Sequence, residues 1–349
     1  MAAQTYVFAS VAGYVGRPDQ VGKIGVFRRP AEGGEWTHVL KEPETHVVMV
    51  HPANSDIVLA GTVNGIQIST DHGASFKPAD FPDTIQIWSF LVDSRNPSRI
   101  LAGASPVAFY ESTDMGRSWQ ALPDSGIKER EQCAFRHRAM RMVQHPTKPD
   151  TVYAALEVNG VARSDDFGRT WTDCSEHLIE LAKQPHLKSS ILTKNDAEGM
   201  LDGHAITISA ADPDAVVLAC RMGLFRSTDR GRTWQDMEMK RFSPVTYGRD
   251  VKVSAKDPNT VYAALSVAAA SHDGLIVRSD DAGKTWKRFD KVQVHGTIMS
   301  VAVNDKNPDE VLIGARYQGE VFGTRDGGKT WTPTPLPGPV KDIYCVAVG

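Results

Sequence analysis

One short pattern, Ser/Thr-x-Asp-x-Gly-x-Ser/Thr-aromatic, runs six times through this chain. The copies occupy residues 69–76, 112–119, 164–171, 227–234, 279–286 and 324–331. A supersecondary unit repeated many times cannot bury its apolar face alone, so copies must stack on one another or close into a ring. Each copy has a turn logic. Its Asp (Asp71, Asp114, Asp166, Asp229, Asp281 or Asp326) is placed to accept bonds from the N–H groups of its own turn. Its Gly permits the positive φ that a tight turn between strands needs. Its Ser or Thr hydroxyl bonds backbone nearby. The closing aromatic starts the next strand and packs between neighbouring sheets.

Around each copy the same order recurs: an apolar run, a Pro-marked turn, a second apolar run. Val47–Val50, His51-Pro52 and Ile57–Ala60 show it, as do Val301–Val303, Asn307-Pro308 and Val311–Ile313. Short strands at this spacing predict four-stranded antiparallel sheets. A weaker copy around Gly25–Arg29 and Trp36 keeps the strand and the Trp but lacks the Asp, which brings the units to seven. Tyr6–Ser10 reads as a second strand without a first, and Ile343–Val348 as a first strand without a second. Their pairing would close the ring and remove its exposed edges. The expectation is therefore all-β: a single seven-bladed propeller over residues 1–349, with a long rim insertion at 172–203. A six-bladed ring with Trp36 in a cap is the alternative.

The pattern closely resembles the Asp-box (BNR) repeat of sialidases, xyloglucanases, sortilin-type receptors and photosystem II assembly propellers. The resemblance covers most of the chain. It implies that the boxes lie at the outer edge, between third and fourth strands, and are structural. Any chemistry would lie at the mouth of the axis, where the loops entering first strands and joining second to third strands open.

Composition narrows the function classes. The net charge of −3 over 349 residues gives no basic field for nucleic acid. No apolar run approaches the ~18 residues of a membrane span. The first residues, Met1 to Thr5, lack the layout of a signal peptide, so a cytoplasmic location is expected. Cys133, Cys174, Cys220 and Cys345 form no CxxC pair, which argues against a zinc ribbon. The sequence does not settle the oligomeric state.

Aligning the units on their Pro turns places Thr45-His46, Trp88-Ser89, Met140-Arg141, His204-Ala205, Arg249-Asp250 and Met299-Ser300 at the mouth. Arg136-His137-Arg138 and His295 lie just upstream. Asn64, Glu157, Asn159, Arg221, Arg316 and Tyr317 follow second strands. Such a polar set makes the mouth the candidate site for a small polar or anionic ligand. Segments 121–135, 235–248 and 265–274 extend the same rim as 172–203, where Ser175–Lys183 predicts a two-turn helix capped by Ser175.

Three chemistries fit. In the first, His46, His204 and His295, with His137 as a possible fourth, converge on a divalent transition metal such as Zn, Fe, Mn or Cu, and Asp250 or Glu157 supports them. In the second, implied by the resemblance, the site is glycosidase-like. Phe27-Arg28-Arg29-Pro30 is similar to the sialidase Phe/Tyr-Arg-Ile-Pro motif but falls in a third strand rather than a first. Xyloglucanases pair two propellers around a cleft, and this sequence predicts one. Asp202, Asp250 and Glu157 are the available acids. In the third, the propeller is a non-catalytic scaffold using Arg136, Arg138, Arg141, Arg221 and Arg249. The reading that leads is an enzyme of hydrolase or lyase type. In it His204, Asp250 and Glu157 carry the chemistry, and Arg138, Arg249, Arg221, Arg316, Tyr317 and Trp88 hold the ligand.

Overall fold

The computed structural model describes residues 4–130, 133–189, 197–316 and 319–349. Seven antiparallel sheets, each built on four strands, follow one another around a ring. Blade 1 is composite: Asp342–Val348 is its innermost strand, and Tyr6–Ala12, Gly25–Pro30 and Thr37–Leu40 follow outward. Both termini thus meet in one sheet, with Val7 opposite Val348 and Ala9 opposite Val346. The innermost strands of blades 2 to 7 are Thr45–Val50, Gln86–Val92, Arg138–Gln144, Gly203–Ser209, Tyr247–Val253 and Ile298–Val303. Each packs beside the next around the whole ring. Trp36 belongs to blade 1, where Arg29 lies over its indole at 5.2 Å, so the cap alternative does not apply.

The six repeated turns connect third to fourth strands, and their hydrogen bonds repeat. In blade 4, Asp166 accepts from Thr170 N at 2.8 Å and from Thr170 Oγ1 at 2.6 Å, while Ser164 Oγ accepts from Gly168 N at 2.7 Å. The residue before each Gly is also left-handed, with φ of 56° at His72 and at Phe167. Gly73 shows why the pattern holds a glycine: φ is 72°, and a Cβ there would lie 2.3 Å from the Phe8 ring of blade 1. The closing aromatics reach back one blade. Trp171 stacks on Phe109 at 4.1 Å, and Trp331 Nε1 donates to Phe289 O. Layers of Val, Ile, Leu and Phe between adjacent blades make up the core. Cys174, Cys220 and Cys345 are buried free thiols, and burial pushes the Cys220 thiol up to about 12.

Every innermost strand carries one bulge. The residue skipped in the pairing is His46, Trp88, Met140, His204, Arg249, Met299 and, in blade 1, Tyr344. A bulge sets two residues against one and re-aims the extra side chain. The residue after it stitches blades together. Ser89 Oγ donates to Ala139 O at 2.6 Å, and Ser300 Oγ accepts from Val346 N at 3.2 Å. Asp250 accepts from Val301 N of blade 7 at 2.8 Å and from Val251 N at 3.0 Å.

The insertion 172–203 folds as helix α1 (Glu176–Ala182), a short 3-10 turn (Pro185–Leu187) and helix α2 (Ala197–Leu201). Leu178, Leu181 and Met200 seal against blades 4 and 5. Ser175 precedes α1 but does not cap it with its side chain; its hydroxyl is held by Val161 N and Val161 O of blade 4. No helix among the described residues is long and apolar enough to cross a membrane.

The repeated turns also respond to pH. Hydrogen bonds to the charged form lower all six turn carboxyls, Asp71 and Asp326 from 3.8 to about 2. A lowered folded value stabilises above the unfolded value, and that stability is lost as the pH falls through the folded one. Resistance to urea should hold from neutral pH down to about 4 and then decline toward about 2. Ser164→Ala strands the Gly168 amide and should cost about 1–3 kcal/mol of unfolding free energy, read from urea unfolding at neutral pH.

Candidate functional site

The bulges decide what reaches the axis. Trp88, Met140, Met299 and Tyr344 meet there with Ala12 as one buried cluster. His46 stacks on Trp88 with centroids 3.6 Å apart and meets Tyr344 edge-on at 5.6 Å. Burial, then the nearby Arg138 charge, pulls the His46 imidazole down to about 3. His46 is therefore a neutral ring in an apolar plug across the axis.

On one side of this plug lies a cavity of about 210 Å³ lined by four guanidinium groups, of Arg138, Arg221, Arg249 and Arg316, and three carboxylates, of Glu157, Glu198 and Asp202. Tyr14, Phe135, Tyr247 and Tyr344 complete most of its wall. The polar groups arrive from equivalent places in different blades, at starts of innermost strands or ends of second strands. The extended rim segments reach it too, through Phe135, Glu198, Asp202, Tyr247 and Ala269.

The charges are cross-linked. Arg138 Nη1 donates to Glu157 Oε2 at 2.7 Å, and its guanidinium is sandwiched at 4.0 Å from both the Trp88 and Phe135 rings. Arg221 Nε donates to Asp202 Oδ2 at 2.8 Å, and its Nη2 reaches Glu198 at 3.2 Å. Arg316 pairs with Asp342 at 3.4 Å, donates to Ala269 O at 2.6 Å and covers Tyr14 at 4.2 Å. Burial raises the Glu157 carboxyl, but Arg138 and Arg249 outweigh it and the net is downward. Burial also raises Asp202, yet His204 and Arg221 hold it far below the usual carboxylate range.

Arg249 differs from its neighbours. It is 6% exposed, and its one ion pair among the described residues is Nη1 to Glu157 Oε1 at 3.5 Å. A guanidinium has five N–H donors in a fixed fork. The guanidinium lines the cavity, so the donors of this fork that face its space can receive an acceptor that enters.

His204 donates or accepts through both ring nitrogens. Nδ1 lies 2.7 Å from Gly248 O, a pure acceptor, so Nδ1 carries a proton. Nε2 lies 3.2 Å from the Tyr247 hydroxyl and 3.3 Å from Asp202 Oδ2. Ligand atoms of Glu157, Asp202 and His204 all fall within 4.8 Å of one another, the one such group among the described residues. Arg138, Arg221 and Arg249 already neutralise these oxygens and would compete with a cation for them.

The structure thus gathers Arg138, Glu157, Arg221, Arg249 and Arg316 at one cavity, with His204 just behind. Trp88 and His46 lie in the plug beneath. The expected triad of His46, His204 and His295 is not assembled: His295 is exposed on an extra strand of blade 6, opposite Asp273. His137 is buried 3.3 Å from Glu129. Asp250 is taken by backbone amides and does not face the cavity. The basic set proposed for a scaffold is divided, because Arg136 is exposed and Arg141 faces the cavity on the other side of the plug. Tyr317 lies outside the described residues. Glu198, Tyr247, Tyr14, Phe135, Asp342 and Tyr344 were not anticipated. Tyr344 alone had a usable signal, since it occupies the bulge position of the last strand.

The fold is a seven-bladed β-propeller, and the proteins it is similar to include xyloglucanases. No family model matches the chain. It is 25% identical over 232 residues to the xyloglucanase Xgh74A of Acetivibrio thermocellus, covering 56% of this chain and 25% of that protein. The chain therefore spans about a quarter of that relative's length. Among solved structures, the Niastella koreensis GH74 enzyme matches with a TM-score of 0.61 and 15% identity, over 84% of this chain and 45% of its own. YCF48 from Cyanidioschyzon merolae matches with a TM-score of 0.57 and 12% identity, over 88% of this chain and 90% of its own.

The Glu157 knot is testable by itself. Glu157→Leu leaves Arg138 and Arg249 buried without their carboxylate and should lower stability by about 3–5 kcal/mol in urea unfolding. Asp250→Asn, which keeps an acceptor for Val301 N, should cost less than half of that loss.

Proposed function

We propose that this propeller is glycoside hydrolase-like and that its axial cavity binds a sugar unit bearing a carboxylate. The observation that carries this reading is the buried, under-used Arg249 fork beside the Glu157–Asp202 pair. A carboxylate matches a guanidinium fork in shape and charge. Tyrosine rings supply the apolar faces and hydroxyls that a sugar needs. The closest oxygens of Glu157 and Asp202 lie within 4.8 Å, somewhat nearer than the ~5–5.5 Å of retaining glycosidase pairs and far nearer than inverting ones. The sequence similarity to xyloglucanases supports the same reaction class.

In the free protein both carboxyls are held ionised. A ligand carboxylate at Arg249 would take that cation from Glu157 and add a negative charge beside it. Both effects raise the Glu157 carboxyl toward the range of a proton donor. Asp202 keeps His204 and Arg221 and stays ionised. One pair then divides into acid and base, as such chemistry requires. Glu157 gives its proton to the leaving oxygen, and Asp202 faces the sugar carbon or its attacking water.

A second reading is a propeller that binds a protein partner, which fits the single-propeller size that the chain shares with YCF48.

Calorimetric titration with glucuronate, galacturonate and N-acetylneuraminate, with glucose as the uncharged control, tests the proposal. At least one acid should bind about tenfold or more tightly than glucose. Arg249→Met should abolish the difference. Absence of binding by every acid would sink this reading and favour the partner-binding one. Where an aryl glycoside of the bound acid is turned over, the rate should rise as the pH falls from about 8 to about 5, as a protonated Glu157 demands.

A further inference from the structure

A second cavity, of about 310 Å³, opens on the rim beside the axial one, and Arg221 and Tyr247 line both. Its character is different. Leu187, Met222, Met239 and Val267 provide aliphatic and thioether surface beside the Tyr247 ring, while His186, Lys188, Asp236, Glu238, Lys240 and Arg241 add polar and charged groups to its lining. Of the three large hydrophobic side chains left exposed among the described residues, Val267 at 54% lines this cavity and Val15 at 52% lines the axial one, while Val21 lines neither. Apolar side chains held open at the lips of adjoining cavities mark a surface that a ligand covers.

The axial cavity is closed beneath by the plug of His46, Trp88, Met140, Met299 and Tyr344. A group bound there can continue only toward the open face. Over the wall formed by Arg221 and Tyr247 it meets the rim cavity. A second sugar would call for flat aromatic platforms on which to stack, and Tyr247 is the one Tyr, Trp or Phe in this lining. Flexible methionines and aliphatic side chains instead suit an irregular apolar body.

We infer that the ligand is bipartite: an acidic sugar in the axial cavity, joined to an apolar aglycone, aryl or alkyl, that lies in the rim cavity between Met222, Met239 and Val267. This rests on the sugar-acid reading of the axial cavity. It makes the preferred substrate a small conjugate rather than a polysaccharide. Tyr247 and Arg221 would then flank the linking oxygen.

Non-hydrolysable 1-thio-β-glucuronides and 1-thio-β-galacturonides test it by calorimetry on the full chain. The phenyl thioglycoside should bind about tenfold or more tightly than the methyl thioglycoside of the same acid, from the apolar area it buries. Val267→Asp puts a charge on an exposed position and should erase that ratio, and Met222→Ser should reduce it. Equal binding of phenyl and methyl compounds, with the free acid still bound, would overturn the bipartite inference and leave the sugar-acid reading standing. Failure of the free acids and of all thioglycosides would overturn both. An undiminished ratio in Val267→Asp and Met222→Ser would place the aglycone elsewhere and overturn the assignment to this cavity.

Discussion

One extra residue in each innermost strand decides what this protein holds on its axis. A regular strand would send alternate side chains into the two interfaces between blades, and nothing large would point at the centre. The bulge breaks that alternation once per blade, at the same height. The seven residues so released divide by chemistry. His46, Trp88, Met140, Met299 and Tyr344 pack into an apolar stopper, while Arg249 and His204 join the charged cavity above it. The stopper and the cavity are consequences of one backbone device filled with different residues. Asp250, Ser89 and Ser300, one place further along, then fasten three of these bulges to the next blade. The register of the ring and the geometry of the site are thereby coupled.

The cavity is expensive to build. Four guanidinium groups and several carboxylates are withdrawn from water, and such pairs seldom improve stability over apolar packing. The outer shell shows that this chain stabilises its blades by other means: turn hydrogen bonds, stacked aromatics and aliphatic layers repeat around the ring. Nothing in closing a propeller requires Arg249 to be buried with one long ion pair. Charge left imperfectly matched inside an otherwise well-satisfied fold is where a ligand's own charge completes the arrangement. Asp202 and Glu157 illustrate the division of labour. The first is held at Oδ2 by His204 and Arg221, and the second shares its partners with the space where a ligand would sit.

Much of this was legible in the sequence, because the repeats report position. Aligning units on their Pro turns placed His46, Trp88, Met140, His204, Arg249 and Met299 at equivalent points, and all are bulge residues. Blade number and closure were legible for the same reason. What a repeat cannot report is which way a side chain turns after the bulge. Asp250 stood beside Arg249 in sequence and looked like a site acid, yet the pleat sends it into the blade interface to accept Val301 N. His295 lay upstream of an innermost strand, but Gly296, with φ of 127°, ends a short added strand there and leaves the histidine outside. Glu198 comes from an insertion that has no counterpart in other blades, so no alignment could position it. Tyr344 was hidden because its blade is split between the two ends of the chain.

The insertion changes the symmetry of the molecule in a way that matters for chemistry. Six blades present short connections to the mouth or extend them modestly, and a ring of equal blades would give a pocket centred on the axis. By adding α1 and α2 between blades 4 and 5, the chain brings Glu198 and Asp202 against Arg221 and shifts the charged groups toward blades 4 to 6. On that side the 235–248 and 265–274 segments also rise, and the rim cavity forms between them and the Pro185–Leu187 turn. The arginines and carboxylates are thus concentrated beside the wall, Arg221 and Tyr247, that has the rim cavity behind it. A centred pocket would recognise a compact ion and nothing attached to it. An off-centre one, closed below and open to one side, can tell a free acid from the same acid carrying an apolar group, because only the second fills both spaces.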